Sequence, residues 1–478
     1  MKKKLTVNYL FNLSYQILII ILPLITTPYV SRILGPKGIG IYSYTTSITS
    51  YFILFGCIGL NLYGQREIAY NQNDKEKRSK TFYELLIIKV CVMTISIFAY
   101  LLTIETMNHY KFIFYIQIID LIANMIDITY FYQGIEEFKK IVIRNILVKF
   151  VGIICIFAFV KTEQDLPLYA FIYSASLLLG NLSMWITINK YISKVPFRIL
   201  ELKKHIKPTL IMFFPQIAIS IYTVLDRMMI GLLTNNTAQI GYYEQAQKIV
   251  KLSLTIVTSL STIMMPRIAH LFINNDRSKI KTYTETSLRY TFAISFPIMF
   301  GLIGIAPNLI PWFLGNQFME SVNILIITSP IVVLIGISNI IGFQYLIPTQ
   351  RQKVYTLSTV IGSLINLILN FILIPYMFSA GAAIASVAAE LGVDVFQLYC
   401  IRKEFHILSI FKQSRNYFIS SIVMFIVIYL MGKCLSPTMG ISILLIMIGT
   451  LFYGIMLILL KDELIQSIFD RIFRKKKS

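Results

Sequence analysis

The stretch PTLIMFFPQIAISIYTVLDRMMIGLL, residues 208–233, is apolar or weakly polar except for the adjacent charges Asp226 and Arg227. A helix rises 1.5 Å per residue, so about 20 apolar residues cross the roughly 30 Å hydrocarbon core of a bilayer. The length and composition of this run therefore predict a membrane-spanning helix. Its two charges raise the question of what each of them faces.

The whole composition agrees with this interpretation. The chain has 478 residues, of which 56% are hydrophobic and 14% are charged, against about 25% charged in a typical soluble domain. The net charge of +21 could suggest nucleic-acid binding. However, the basic residues lie between apolar runs, as in the cytoplasmic loops of membrane proteins. We therefore predict a membrane protein with no nucleic-acid partner.

Fourteen runs are long and apolar enough to span a membrane as helices, and none shows the short alternating pattern of an outer-membrane strand. They cover residues 8–31, 39–62, 82–104, 112–133, 141–160, 168–189, 208–233, 240–264, 283–307, 321–347, 355–375, 381–401, 416–434 and 439–460. The predicted fold class is an all-α polytopic membrane protein with about 14 transmembrane helices. The first run is too long for a signal-peptide core and lacks a small-residue cleavage site, so we expect it to be retained.

The Lys and Arg residues set the predicted orientation. With the N-terminus in the cytoplasm, inner segments hold 33 of the 44 basic residues and outer loops hold 5. This asymmetry follows the positive-inside rule. We therefore predict a multi-pass membrane protein with both termini cytoplasmic.

The sequence lacks the signatures of an enzyme. Outer loops are about 13 residues or shorter, and there is no phosphate-cradling glycine loop, HExxH motif or nucleophile elbow. The five cysteines fall in apolar runs without a CxxC motif, and the four histidines have no metal-ligand spacing. We predict no catalytic residues, no cofactor and no metal.

Two stretches predict an internal repeat. Gly40 starts a span that reaches Arg66 after 26 residues, and Gly241 starts one that reaches Arg267 after 26 residues. Chance similarity between apolar helices is the alternative. If the repeat is genuine, residues 1–205 and 206–405 form two six-helix lobes of a transporter. Residues 406–478 then add a helix pair and a basic cytoplasmic tail.

Span 7 carries a polar stripe that ends in Arg227. Gln216 and Arg227 lie on this stripe with Ser220 and Thr223 at spacings of 4, 3 and 4. Asp226 is about 100° away round the helix, because successive residues do not share a face. We therefore expect the two charges to have different partners, with Arg227 facing a cavity or snorkelling to the interface.

Other ionisable residues also fall at bilayer depth, where they are costly and normally face a cavity or a partner. Span 8 places Glu244, Lys248 and Lys251 on one face, and Arg289 lies about two turns into span 9. Each set could line a cavity or form structural pairs. The candidate acids for ion coupling or structural pairing are Asp120 and Asp127 in span 4, Asp226 in span 7, and Glu390 and Asp394 in span 12. Lys89 and Lys149 are candidate structural partners of Asp120 and Asp127.

Four stretches resemble the polysaccharide transport family. They are YVSRILGPKGIGIYSY (29–44), YTVLDRMMIGLLTNNTAQIGYYEQAQKI (222–249), YLIPTQRQKVY (345–355) and SAGAAIASVAAEL (379–391). This family holds the Wzx-type flippases of the MOP superfamily, beside the MATE drug exporters and the lipid II flippase. The resemblance covers essentially the whole chain in order.

The resemblance implies two six-helix lobes around a central cavity, a C-terminal helix pair, and alternating access. Its members move undecaprenyl-pyrophosphate-linked oligosaccharide repeat units to the outer leaflet for capsule or other surface polysaccharide. Membrane lipid and the polysaccharide polymerase machinery would be the further partners. Arg32 stands in the Arg-x-x-Gly context in which the lipid II flippase has important basic residues. The predicted pyrophosphate- and sugar-binding residues are Arg32, Arg227, Lys248, Lys251, Arg289 and Gln216.

Two other functions remain open at this point. A MATE-type multidrug or cation exporter would share the fold and favour an acidic, aromatic cavity, for which Asp120, Asp127, Glu390 and Asp394 are candidates. A membrane enzyme such as a glycan polymerase or ligase is the third possibility, and the short outer loops disfavour it.

Overall fold

The structure, a computed structural model, describes residues 2–405 and 407–462. Side chains are described for these residues except 2–21, 214, 215, 218, 219, 221, 222, 407–411 and 413. The described part consists of helices and connecting turns, with no β-strand, so the all-α prediction is confirmed. The predicted basic tail lies outside the described residues beyond residue 462.

The first compact unit contains the chain up to Gly231 together with residues 236–241. Its helices are α1 (Lys2–Cys57), α2 (Leu60–Tyr70), α3 (Lys75–Thr106), α4 (Lys111–Met125), α5 (Thr129–Gly134), α6 (Phe138–Phe159), α7 (Leu166–Trp185) and most of α8 (Lys203–Thr234). Phe82 packs edge-on against Phe131 and Trp185, with ring centroids 5.2 and 6.1 Å away. These aromatic side chains bind α3, α5 and α7 into one core.

The second unit contains residues 232–235 and the chain from Tyr242 onward. Its helices are α9 (Thr237–Ile273, after its first turn), α10 (Arg277–Phe313), α11 (Glu320–Thr328), α12 (Ile331–Ser338), α13 (Gln352–Ile401), α14 (Ile407–Cys434) and α15 (Met439–Leu459). A π-helix, Asn339–Leu346, follows α12. Helices α10 and α14 pack along each other, with the rings of Phe296 and Phe418 5.4 Å apart.

Eleven helical segments among the described residues are long and apolar enough to span a membrane. Two of them contain a non-helical residue, Gly35 (φ 64°) in α1 and Phe378 (φ 51°) in α13. Both breaks lie where the hydropathy pattern separates two spans, and Pro36 disfavours helical geometry at Gly35. The seventh predicted span is α8, which packs within the first unit. The count of fourteen spans and the lobe boundary at residue 205 stay predictions.

The two glycines of the proposed repeat lie at one close helix crossing. A Cβ atom on Gly40 would stand 1.6 Å from the carbonyl oxygen of Thr237, and one on Gly241 would stand 2.0 Å from that of Pro36. Each glycine therefore packs on the carbonyl four residues before the other glycine. A reciprocal contact is what two-fold symmetry between equivalent elements produces. This geometry favours a genuine repeat over chance similarity.

We expect Gly40→Ala and Gly241→Ala each to lower stability by about 1–3 kcal/mol, because the new methyl group overpacks the crossing. At an unconstrained helical position the same change usually stabilises by roughly 0.5–1 kcal/mol. Gly454→Ala in α15 is the matched control, since a Cβ atom at that position would have no neighbour within 4 Å. Thermal unfolding in detergent measures the difference. Equal melting of all three variants would contradict the crossing.

Candidate substrate-binding and coupling residues

Arg32 lies on α1 three residues before the Gly35 break. Its side chain is exposed, whereas the neighbouring Ser31 is fully buried. The guanidinium is thus directed away from the packed face of α1. This placement leaves Arg32 accessible to a ligand.

The two adjacent charges of α8 differ in burial. Asp226 is 6% exposed, whereas Arg227 is partly exposed. The Arg227 Nη2 atom lies 3.5 Å from the carbonyl oxygen of Thr223, and Tyr51 of α1 interacts electrostatically with both charges. The difference in burial agrees with the expected 100° separation round α8. Gln216, further along the predicted stripe, is half-buried.

Helix α9 carries the next group of predicted residues. Lys251 is exposed, and Glu244 and Lys248 are half-buried, while Gln245 between them is 1% exposed. Gln247 donates a hydrogen bond to the hydroxyl of Tyr243 (2.9 Å), one turn earlier on the same helix. We call Arg32, Arg227, Lys248 and Lys251 the cation set. Two of its members belong to each unit, so their joint action stays a prediction.

Arg289 has structural partners from the C-terminal helix pair. Its Nε donates to the Tyr417 hydroxyl (3.0 Å), and its Nη2 lies 3.7 Å from Asp462 Oδ2. Tyr417 in turn donates to Asp462 Oδ1 (3.1 Å), and Asp462 is 2% exposed. These contacts anchor both ends of the helix pair to α10. They favour an anchoring role for Arg289, which is therefore not counted in the cation set.

Asp127 lies in the break between α4 and α5. Its Oδ1 accepts hydrogen bonds from the backbone N–H (2.8 Å) and the hydroxyl of Thr129, the first residue of α5. Side chains also satisfy three carbonyls of the break: Asn181 donates to Ala123 (2.7 Å), Trp185 to Ile126 (2.8 Å) and Lys89 to Asp127 (2.7 Å). Lys89 and Asp127 thus meet as the sequence suggested, but through the backbone carbonyl. This geometry favours the structural alternative for Asp127.

Asp120 has a different environment within α4. Its carboxylate lies beside Ser174 of α7 and interacts electrostatically with Tyr42 and Tyr173. Gln117, one turn earlier, is fully buried and donates to the hydroxyls of Thr45 and Thr46 (both 3.0 Å). The polar residues of α4 are therefore divided between a buried network and an acid that interacts with tyrosines.

Glu390 and Asp394 form an acid pair one turn apart on the second half of α13. They are 4% and 3% exposed, and neither oxygen of Asp394 has a hydrogen-bond partner among the residues that the structure describes. Gln397 donates to Ser358 of the first half of α13 (2.9 Å). Ionised carboxylates at this burial cost several kcal/mol unless a partner is supplied. A proton or a cation could supply it.

The first half of α13 packs against the half that carries the acid pair. A Cβ atom on Gly392 would meet the side chain of Ile365, and together with the Gln397–Ser358 bond this contact shows that the two halves run antiparallel. These contacts put Asn366 level with Glu390. Asn366 is 1% exposed and accepts a hydrogen bond from Asn370 (3.1 Å). Amide oxygens and carboxylates are suitable ligands for a hard cation.

Sequence reasoning missed one buried network in the first unit. Fully buried Glu84 accepts from the backbone N–H of Glu201 (2.7 Å), and its Oε2 lies 2.8 Å from Nε2 of His205 and 3.1 Å from Lys204 Nζ. The Tyr63 hydroxyl lies 2.7 Å from His205 Nδ1. Hydrogen bonds from Lys204 and Lys80 hold the pKa of the exposed Glu201 carboxyl below its usual value. The network fastens the start of α8 to α2 and α3, and a lone histidine before a span was its only sequence signal.

The fold is similar to that of solved transporters. The lipid II flippase MurJ in an inward closed conformation superposes with a TM-score of 0.73 at 19% identity, over 97% of this chain and 99% of the other. An inward-facing multidrug resistance MATE transporter of the MOP superfamily gives 0.64 at 13% identity, over 82% and 96%. The predicted MOP-type fold is therefore confirmed: the protein is a multi-pass helical membrane protein with a fold similar to theirs.

The sequence comparisons give the family. Residues 5–272 match the family described as "Polysaccharide biosynthesis protein", and the chain belongs to that family. It is also similar to the putative O-antigen transporter of Escherichia coli (strain K12). That relative is 26% identical over 387 residues, which cover 80% of this chain and 93% of the relative. The predicted resemblance to the polysaccharide transport family is confirmed.

Proposed function

We propose that the protein is a flippase for lipid-linked oligosaccharides. The substrate is an undecaprenyl-pyrophosphate-linked repeat unit, moved from the cytoplasmic to the outer leaflet of a bacterial plasma membrane by alternating access. Capsule or another surface polysaccharide is the product of the pathway, and a polysaccharide polymerase is a partner. The observation that carries this proposal is similarity to an O-antigen transporter over 93% of that relative's length.

The cation set allows the charged pyrophosphate to cross the hydrocarbon core of the membrane. Moving a bare phosphate charge into an apolar medium costs tens of kcal/mol in the ideal case. Arg side chains pair with phosphate oxygens through two parallel hydrogen bonds, and Lys supplies a compact charge. Arg32, Arg227, Lys248 and Lys251 hold the pyrophosphate, and Gln216 bonds to sugar hydroxyls. The lipid tail stays in the bilayer.

The acid pair couples transport to an ion. Glu390 and Asp394 are buried on one helix face, and Asp394 has two carboxylate oxygens to offer a proton or a cation. Asp120 is a further candidate in the first unit, whereas we assign structural roles to Asp127, which bonds to Thr129, and to the buried Asp226. This assignment is supported by the burial of the pair and by the amide side chain level with Glu390.

Loss of the protein should leave completed repeat units on the cytoplasmic leaflet. The test deletes the gene and measures which leaflet holds the lipid-linked oligosaccharide, with a plasmid copy as the control. Loss of a polymerase or ligase would instead leave the units on the outer leaflet. Unchanged leaflet distribution together with increased drug sensitivity would favour a multidrug exporter. A MATE transporter of that kind has a fold similar to this one.

A further inference from the structure

Three tyrosines of the first unit form a compact cluster. Tyr42 of α1 lies 5.0 Å from Tyr169 and 6.0 Å from Tyr173 of α7, measured between ring centroids. Tyr169 and Tyr173 are 5.9 Å apart. The three rings thus make a triangle of similar sides, which we call the tyrosine cluster. The function proposed above does not use it.

The exposure of the cluster is uneven. Tyr169 is 8% exposed, whereas Tyr173 is 55% exposed although it contacts both other rings. Asp120 of α4 interacts electrostatically with Tyr42 and Tyr173. The half-buried Tyr42 and the buried Tyr169 therefore support one exposed ring near a carboxylate.

The Asp120 carboxylate distinguishes this arrangement from an interfacial aromatic belt. Belt tyrosines lie at headgroup level, with the ring in lipid and the hydroxyl in water. Asp120 is nine residues from the start of α4 at Lys111, which is about 14 Å along the helix. An acid at that depth is costly and marks a functional site by default. The cluster therefore combines aromatic faces with a deep hydrogen-bond acceptor.

We propose that the tyrosine cluster and Asp120 bind a sugar ring of the transported oligosaccharide. The assignment rests on the proposed flippase function and names the part of the substrate bound here. A sugar ring has an apolar C–H face, which packs on an aromatic ring, and hydroxyls, which donate to a carboxylate and exchange hydrogen bonds with tyrosines. Apolar and aromatic walls with a few placed polar groups are typical of small-molecule sites.

The negative charge of Asp120 excludes the pyrophosphate of the substrate from this site. A pyrophosphate beside the Asp120 carboxylate would place like charges together where the dielectric constant is low. A neutral sugar has no such penalty. The substrate is therefore divided, with its sugars at the tyrosine cluster and its pyrophosphate at the cation set.

The test measures binding by the full-length protein in nanodiscs. Two probes are compared: undecaprenyl pyrophosphate without sugars, and lipid-linked oligosaccharide extracted from cells that lack the transporter. Tyr173→Ala and the conservative Asp120→Asn should weaken binding of the sugar-bearing lipid about tenfold, and leave binding of the sugar-free lipid unchanged. Phe171→Ala is the matched control, because Phe171 is 48% exposed on the same helix but about 160° from Tyr173. It should alter neither.

The outcomes separate this inference from the proposed function. If wild-type protein prefers the sugar-bearing lipid and both variants keep that preference, the sugar site is wrong and the flippase proposal stands. Equal weakening of both probes also overturns the sugar site. If wild-type protein does not distinguish the probes and gene deletion leaves the leaflet distribution unchanged, the flippase proposal itself fails. Thermal unfolding identifies any misfolded variant, and Tyr173→Phe, which keeps the ring, should retain most of the binding.

Discussion

Alanine in place of Arg32, Arg227 or Lys248 is expected to reduce export of the lipid-linked oligosaccharide at least tenfold. A hydrogen bond to a charged group contributes about 1.5–3 kcal/mol, and about 1.4 kcal/mol is a factor of ten in binding. In the proposed binding mode, each substitution removes at least one such bond to the pyrophosphate. The measurement is surface polysaccharide display in cells whose own gene is deleted, normalised to the amount of inserted protein.

The prediction for the cation set has two control substitutions. Lys111→Ala removes a cation that is paired with Glu105 on the exposed surface (3.5 Å), so export should be unchanged. Arg227→Lys keeps the charge but loses the paired hydrogen bonds of a guanidinium, so export should fall only in part. Normal display by all three alanine variants would show that the cation set does not bind the phosphates.

The second large effect is expected from Asp394→Asn, which should remove ion-driven export while leaving the fold intact. Asparagine has nearly the same shape, and no described residue donates or accepts at the Asp394 carboxylate, so no native bond is lost. The amide can neither take up a proton nor neutralise a cation. Burying it is also less costly than burying an unpaired charge. Glu390→Gln should act in the same direction.

Transport in proteoliposomes under an imposed proton or sodium gradient measures this effect. Asp276→Asn is the control acid in the same unit, because Asp276 caps α10 at the surface and pairs with Lys279 (2.6 Å). A drop in thermal stability of Asp394→Asn without loss of gradient-driven transport would assign the acid pair a structural role.

Much of the fold could be predicted from the sequence, because hydrocarbon imposes length and polarity on each span separately. The all-α class, the breaks near Gly35 and Phe378 and the membership in a polysaccharide transport family were predicted and are confirmed or observed. Asp226 and Arg227 were assigned to different faces of one helix from the 3.6-residue period alone, and their burial differs accordingly.

The partner that a side chain meets on another helix could not be predicted in this way. Periodicity indicates which side of a helix a residue is on, but only packing decides what lies opposite. Arg289 therefore looked like a cavity cation until Tyr417 and Asp462 were found beside it, over 120 residues away in sequence.

Sequence alone thus determined that the chain spans a membrane and how many charged residues its spans contain, since both follow from composition. Tertiary structure decided which of these charged residues have partners within the fold. The Glu84–His205 network and the Asp127–Thr129 contact are internally satisfied, whereas neither carboxylate oxygen of Asp394 has a hydrogen-bond partner among the described residues. The physical reason is that burying a polar group costs free energy unless a partner from another helix meets it.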